Sequence, residues 1–177
     1  MKTRTKIIAT VVAFFLSLAG CTNKALSPEE LQARLTQVEA DRRFFAGTTK
    51  VELSTPRILQ IEYHSPDGKA YLWHPGNSGI VLGQWDVRPE SIIDEVVQCY
   101  RYDNTRSAPH RVPFGEPGDL ATCISTARQK RGFWYAGDPY NLESGRIPFV
   151  MMRAEGALDQ VIERTGINPA NLQRKRP

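Results

Sequence analysis

The chain has 177 residues, 23 Lys plus Arg against 19 Asp plus Glu, a formal net charge of +4 and three cysteines. That length is room for one domain with a real core. The positive surplus sits at the two ends, in Lys2, Arg4 and Lys6 and in Arg174, Lys175 and Arg176, so the body carries no basic stripe and nucleic acid is not expected as a partner.

The first element in chain order is an export signal. Met1 to Lys6 is basic and free of acids, Ile7 to Leu18 is apolar but for Thr10 and Ser17, and Leu18-Ala19-Gly20-Cys21 follows. A basic start, a short apolar stretch and small residues before a cleavage point form a secretory signal. The apolar run is too short for a spanning helix, which needs about 20 residues. Leu18-Ala19-Gly20-Cys21 resembles the lipobox of bacterial lipoproteins. The resemblance implies diacylglycerol on the Cys21 thiol, cleavage before it, and acylation of the new N-terminus, with palmitate among the expected chains. One chain holds a protein to a bilayer only marginally, whereas two or three hold it almost permanently. Thr22, not Asp, follows the cysteine, which in lipoproteins favours the outer membrane over the inner. The expected organisation is a signal over 1–20, a lipidated tether over 21–26, one domain over 27–170 and a basic, frayed tail over 171–177.

With the first 20 residues gone the chain keeps 20 basic and 19 acidic groups, a net charge of +1. Cys99 and Cys123 remain as an even pair in an oxidising compartment and are expected to form a disulfide. Closing that loop stabilises the fold by about 3 kcal/mol in the chain-entropy model.

Ser27-Pro28-Glu29-Glu30 starts a helix, with Ser as cap, Pro at the first helical position and Glu three residues after the cap. Leu31, Leu35, Val38 and Phe45 fall near one face, and the helix should end near Gly47. From Val51 the period changes to two. Leu59, Ile61 and Tyr63 alternate with Gln60, Glu62 and His64, then Ser65-Pro66-Asp67-Gly68-Lys69 turns the chain into a return strand over 70–74. A second turn over 75–79 leads to a strand over 80–87, with Val81, Gly83, Trp85 and Val87 on one face. Further strands are expected at 96–102 and 120–126, separated by a long Pro-, Gly- and Arg-rich loop over 104–118, and at 132–135. Ala157 to Thr165 fits a short helix stopped by Gly166. The fold class expected is α+β: an N-terminal helix packed on an antiparallel meander sheet, with curling towards a barrel as one option, and a short C-terminal helix.

The run Tyr63-His64-Ser65-Pro66-Asp67-Gly68, Tyr71-Leu72-Trp73-His74-Pro75-Gly76-Asn77, Gly83-Gln84-Trp85 and Cys99-Tyr100-Arg101-Tyr102 resembles a family of small secreted alphaproteobacterial proteins of unknown function. The resemblance spans about residues 27–125, departs at the insertion Pro89 to Val97 and in the C-terminal segment, and implies fold and export but no chemistry.

No spacing commits the chain to a reaction. His64 and His74 flank one hairpin about 13 Å apart along the ladder, in no recognisable ligand spacing, so no metal or cofactor is expected. Ser65, His64 and Asp67 do not form a triad, because neighbours on a strand point to opposite faces. No pair among the 19 acids is marked by spacing. The aromatic set is the best candidate for a binding face, with Tyr71, Trp73, Asn77 and Trp85 as its members and Tyr100, Tyr102, Trp134 and Tyr135 as neighbours; the competing role for these rings is core packing. Arg106, His110 and Arg111 make the long loop a candidate anion contact. The expected function is a membrane-anchored envelope lipoprotein. It would be a non-catalytic binding or structural module for an envelope protein or a cell-wall component such as peptidoglycan. The alternative is a hydrolase of peptidoglycan or a small substrate, with His64, His110 or a carboxylate as base.

Overall fold

The computed structural model describes residues 26–54, 58–74, 77, 79–90, 94–102, 122–149 and 158–177. Cys21 and the expected export signal, most of the expected tether, and the segment with Arg106, His110 and Arg111 lie outside the described residues. Among the described residues, no helix is long and apolar enough to cross a membrane.

Helix α1 runs Pro28–Phe45. Its start is a capping box: the Glu30 amide donates to Ser27 Oγ at 3.2 Å and the Ser27 amide to Glu30 Oε2 at 2.7 Å. Glu29 and Glu30 sit in its first turn and Arg42 and Arg43 in its last, both favourable to the helix dipole. Gly47, at φ +66°, ends it and passes its amide to the His64 carbonyl at 2.8 Å, so the helix is fastened to the sheet at its exit.

Seven strands follow: β1 Thr48–Ser54, β2 Ile58–His64, β3 Lys69–Trp73, β4 Val81–Glu90, β5 Glu95–Tyr102, β6 Thr122–Ser125 and β7 Phe133–Ala136. They form one antiparallel sheet in the order β6-β5-β4-β3-β2-β1-β7. The sheet curls into a half-barrel. Short helix α2, Thr126–Gln129, connects the two edge strands β6 and β7, and helix α3, Leu158–Thr165, comes late in the chain. The architecture is α+β, as the sequence pattern predicts. Strand β1 begins at Thr48, ahead of the change of period at Val51.

Register assigns every strand residue to one of two faces. Thr48, Lys50 and Glu52 pair with His64, Glu62 and Gln60; these continue to Ala70 and Leu72, to Val81 and Gly83, and through Trp85 to Tyr100. This is the inner face, against which the end of α1 packs: Phe44, Phe45, Trp134, Trp85, Val87, Val96 and Tyr100 form one cluster. The outer face carries Val51, Leu59, Ile61, Tyr63, Tyr71 and Trp73, closed by Tyr140, Leu142 and Val161 from the C-terminal segment. Each such fully buried aliphatic or aromatic side chain contributes about 1.5–3 kcal/mol.

Cys99 and Cys123 are paired across β5 and β6 and joined by a disulfide, with Cα atoms 4.0 Å apart. The tail differs from expectation. Instead of fraying, Arg174 bridges Tyr135, the Lys175 amide donates to the Trp134 carbonyl at 2.8 Å, and Lys175 Nζ reaches the Arg43 carbonyl at 3.0 Å. An edge strand presents a row of unpaired backbone groups, and the tail satisfies part of that row on β7.

Candidate functional site

The half-barrel encloses a cleft of about 570 Å³, within the size range of small-molecule sites. Its walls come from six strands and α2: Lys50, Val51 and Glu52 on β1, Gln60 and Glu62 on β2, Leu72 on β3, Tyr100 and Tyr102 on β5, Thr122 and Ile124 on β6, Tyr135 on β7, with Phe133 of the same strand, and Arg128 and Gln129 on α2. Phe133, Leu158 and Pro169 add apolar surface. The cleft is therefore apolar along its sides and polar at its base.

The base is a connected network. Lys50 Nζ lies 2.6 Å from Glu52 Oε2 and donates to Gln129 Oε1 at 2.8 Å, and Gln129 Nε2 donates to the Tyr100 hydroxyl at 3.2 Å. Gln129 thus spans the open side of the half-barrel from β1 to β5. On the other side the Tyr102 hydroxyl donates to Glu62 Oε1. Glu62 Oε2 lies 3.5 Å from His64 Nε2, and the Gln60 amide nitrogen lies 3.1 Å from His74 Nε2. The tyrosine rings stack at 6.0 Å with 7° between their planes.

Gly83 makes room for this. A Cβ there would stand 2.6 Å from a Tyr102 ring carbon and 2.7 Å from the Arg101 carbonyl. No real Cβ tolerates that distance, so any side chain at 83 would displace the ring that holds Glu62.

Burial and neighbouring charges shift three groups of this network. Burial acts to raise the Glu62 carboxyl, but the His64 ring, the Tyr102 hydroxyl and Lys50 outweigh it, and the carboxyl lies below its usual value. Desolvation, followed by the nearby Glu62 charge, pushes the Tyr100 and Tyr102 hydroxyls well above theirs. At neutral pH the base of the cleft presents one carboxylate, two neutral phenols, the Lys50–Glu52 pair and two amides. These are groups that accept and donate hydrogen bonds.

The residues singled out in the sequence fall elsewhere. Tyr71 and Trp73 lie on the outer face and Trp85 on the inner one. All three are buried, as is Asn77, so the four share no exposed binding face. Trp73 meets Tyr140 and Phe149, and Trp85 donates its indole N–H to the Ser65 carbonyl at 3.1 Å. His64 has no exposed surface and is surrounded by Trp85, Tyr100 and Trp134 at 5.1–5.5 Å, out of reach of a substrate in the cleft. Ser65 and Asp67 are bonded to each other and to Lys69 in the β2–β3 turn. Tyr100 and Tyr102, flagged as neighbours of the aromatic set, do line the cleft. Lys50, Glu52, Gln60, Glu62 and Gln129 were missed. The available signal was the alternation on β2, whose polar positions lie in a strand flanked on both sides and so had to be covered by something. Among the described residues, no group of three His, Cys, Asp or Glu is placed to hold a metal ion.

The chain matches no protein-family model, no curated protein and no solved structure.

Proposed function

We propose that this is a lipid-anchored cell-envelope protein that binds a small amphipathic envelope component in its half-barrel cleft, without transforming it. The observation that carries the reading is the cleft's base. A cavity of about 570 Å³ ends on a satisfied network of Glu62, Tyr102, Lys50, Glu52, Gln129 and Tyr100, where a protein needing only stability would place apolar side chains. Such convergent polar groups at the end of apolar walls fix a ligand's orientation. The anchored address rests on the lipobox-like Leu18-Ala19-Gly20-Cys21. The outer membrane remains the favoured site, with the domain facing the periplasm.

The ligand that fits presents hydrogen-bond donors or a positive group to Glu62 and Gln60 and an apolar part to Leu72 and Ile124. A cell-wall peptide fragment, or a short segment of an envelope protein, has this character. A non-catalytic role is supported by the directions of the titrations, which hold Glu62 charged and both tyrosines neutral.

Two measurements test the two halves. Metabolic labelling with a fatty-acid analogue should mark the wild type and not Cys21→Ser. Titration of detergent-solubilised protein with soluble muropeptides, followed by calorimetry, should give saturable binding that Thr122→Trp, which fills the cleft, abolishes. Equal binding by wild type and Thr122→Trp would place the ligand elsewhere and overturn the reading.

A further inference from the structure

We infer that the first two turns of α1 lie against the phospholipid bilayer, so that the domain is held in one orientation and not merely leashed. The inference rests on the anchored reading above.

The helix divides at Arg34, which pairs with Asp94 beside the β4–β5 turn. Beyond that point, towards the N-terminus, every residue from Leu26 to Ala33 is exposed, and the helix's fully buried residues are all in its last turns, Asp41, Phe44 and Phe45. Six helical residues therefore project by about 9 Å past the last ion pair with the sheet.

Its apolar residues are not where the sheet can use them. Five large hydrophobic side chains are exposed among the described residues, and three of them are Leu26, Leu31 and Leu35, at 40%, 47% and 44%. At about 100° per residue, Leu31 and Leu35 lie about 40° apart on the helix, with Pro28 beside them and Glu29 on the opposite side. Leu26 and Leu31 occupy the positions of a hydrophobic staple. A staple leaves both of them exposed and does not involve Leu35.

The chain outside the structure identifies the occupant. Five peptide steps separate Cys21 from Leu26, a reach of about 17 Å at full extension. A glycerolipid on Cys21 therefore confines this helix tip to the membrane surface. There an apolar stripe on a helix enters the boundary between headgroups and acyl chains.

Cys99 and Cys123 are bonded to each other and Cys21 is the acylation site, so one introduced cysteine gives a unique thiol. The full-length acylated protein carrying Leu35→Cys or Leu82→Cys is labelled with an environment-sensitive fluorophore. It is then reconstituted in phosphatidylethanolamine and phosphatidylglycerol vesicles, with and without a spin-labelled phospholipid. Leu82 is the comparison: it is 52% exposed and lies on the outer face of β4. The expected result is a blue-shifted emission quenched by the spin label at position 35, and water-like, unquenched emission at position 82. Water-like emission at both positions in protein whose acylation is verified by mass spectrometry would overturn the docking and leave the anchor standing. An unmodified Cys21 would overturn both.

Discussion

The two faces of strand β2 differ by one residue step and by everything else. Leu59, Ile61 and Tyr63 point outwards into a buried apolar cluster, whereas Gln60, Glu62 and His64 point inwards. Both sets are buried, so burial does not distinguish them; the chemistry of what is buried does. The outer set is held by area alone and accepts any side chain of the right volume. Two members of the inner set are held by directed bonds, Glu62 by Tyr102 and Gln60 by His74, which penalise a wrong partner heavily. A protein that conceals polar groups around a cavity does so at a cost in stability, and the outer face supplies the stability that offsets it.

That contrast can be broken from either side. The largest effect is expected from Trp73→Ala on the outer face, a loss of about 3–5 kcal/mol in chemical denaturation, with the cleft's ligand affinity retained in the molecules that remain folded. Replacing both Cys99 and Cys123 by Ser should cost about 3 kcal/mol, read as a lower denaturation midpoint that no longer responds to reductant. On the inner face, Tyr102→Phe leaves the buried Glu62 carboxylate short of a donor and should cost about 1–3 kcal/mol; Gly83→Ala should act in the same direction by displacing the same ring.

Glu62→Gln sharpens the point through pH. The Glu62 carboxyl is lowered from 4.5 in the fold, so its stabilising contribution is complete above about pH 4.5 and is lost as pH falls through the folded value. Denaturation midpoints of the wild type should fall over that acid range, and those of Glu62→Gln should fall less. The smallest effect is expected from Asp67→Asn. Asp67 is held down to about 2 by its bonds to Lys69 and Ser65, but the pair is solvated. Its contribution should vanish as pH drops from about 4 towards about 2 and should weaken with added salt, both visible in thermal scans.

Much of the fold was legible because local rules and packing agree. The capping box at Ser27, the turn at Asp67-Gly68, the alternation of Val81, Trp85 and Val87, and the stop at Gly166 each state a local preference that the tertiary structure keeps. The expectation that Cys99 pairs with Cys123, argued from an even count once Cys21 is set aside, matches the disulfide in the structure. The cleft was not legible. Lys50, Glu62 and Tyr102 come from three strands and meet only because the sheet curls. Gln129 reaches them from α2, four residues too short to leave a periodic signal. The aromatic residues carried two competing readings, a binding face and core packing, and the structure gives core packing: register puts Trp73 and Trp85 on opposite faces of the sheet, and both are buried. The tail misled, because three adjacent positive charges read as a solvated end, while backbone pairing with β7 ignores side-chain charge.

That pairing makes the C-terminus a guard. Gln173 to Lys175 occupy the flank of β7 where a strand from another molecule would otherwise add itself. Substitutions or insertions that pull this segment away would open the flank of β7 to chain-to-chain sheet extension.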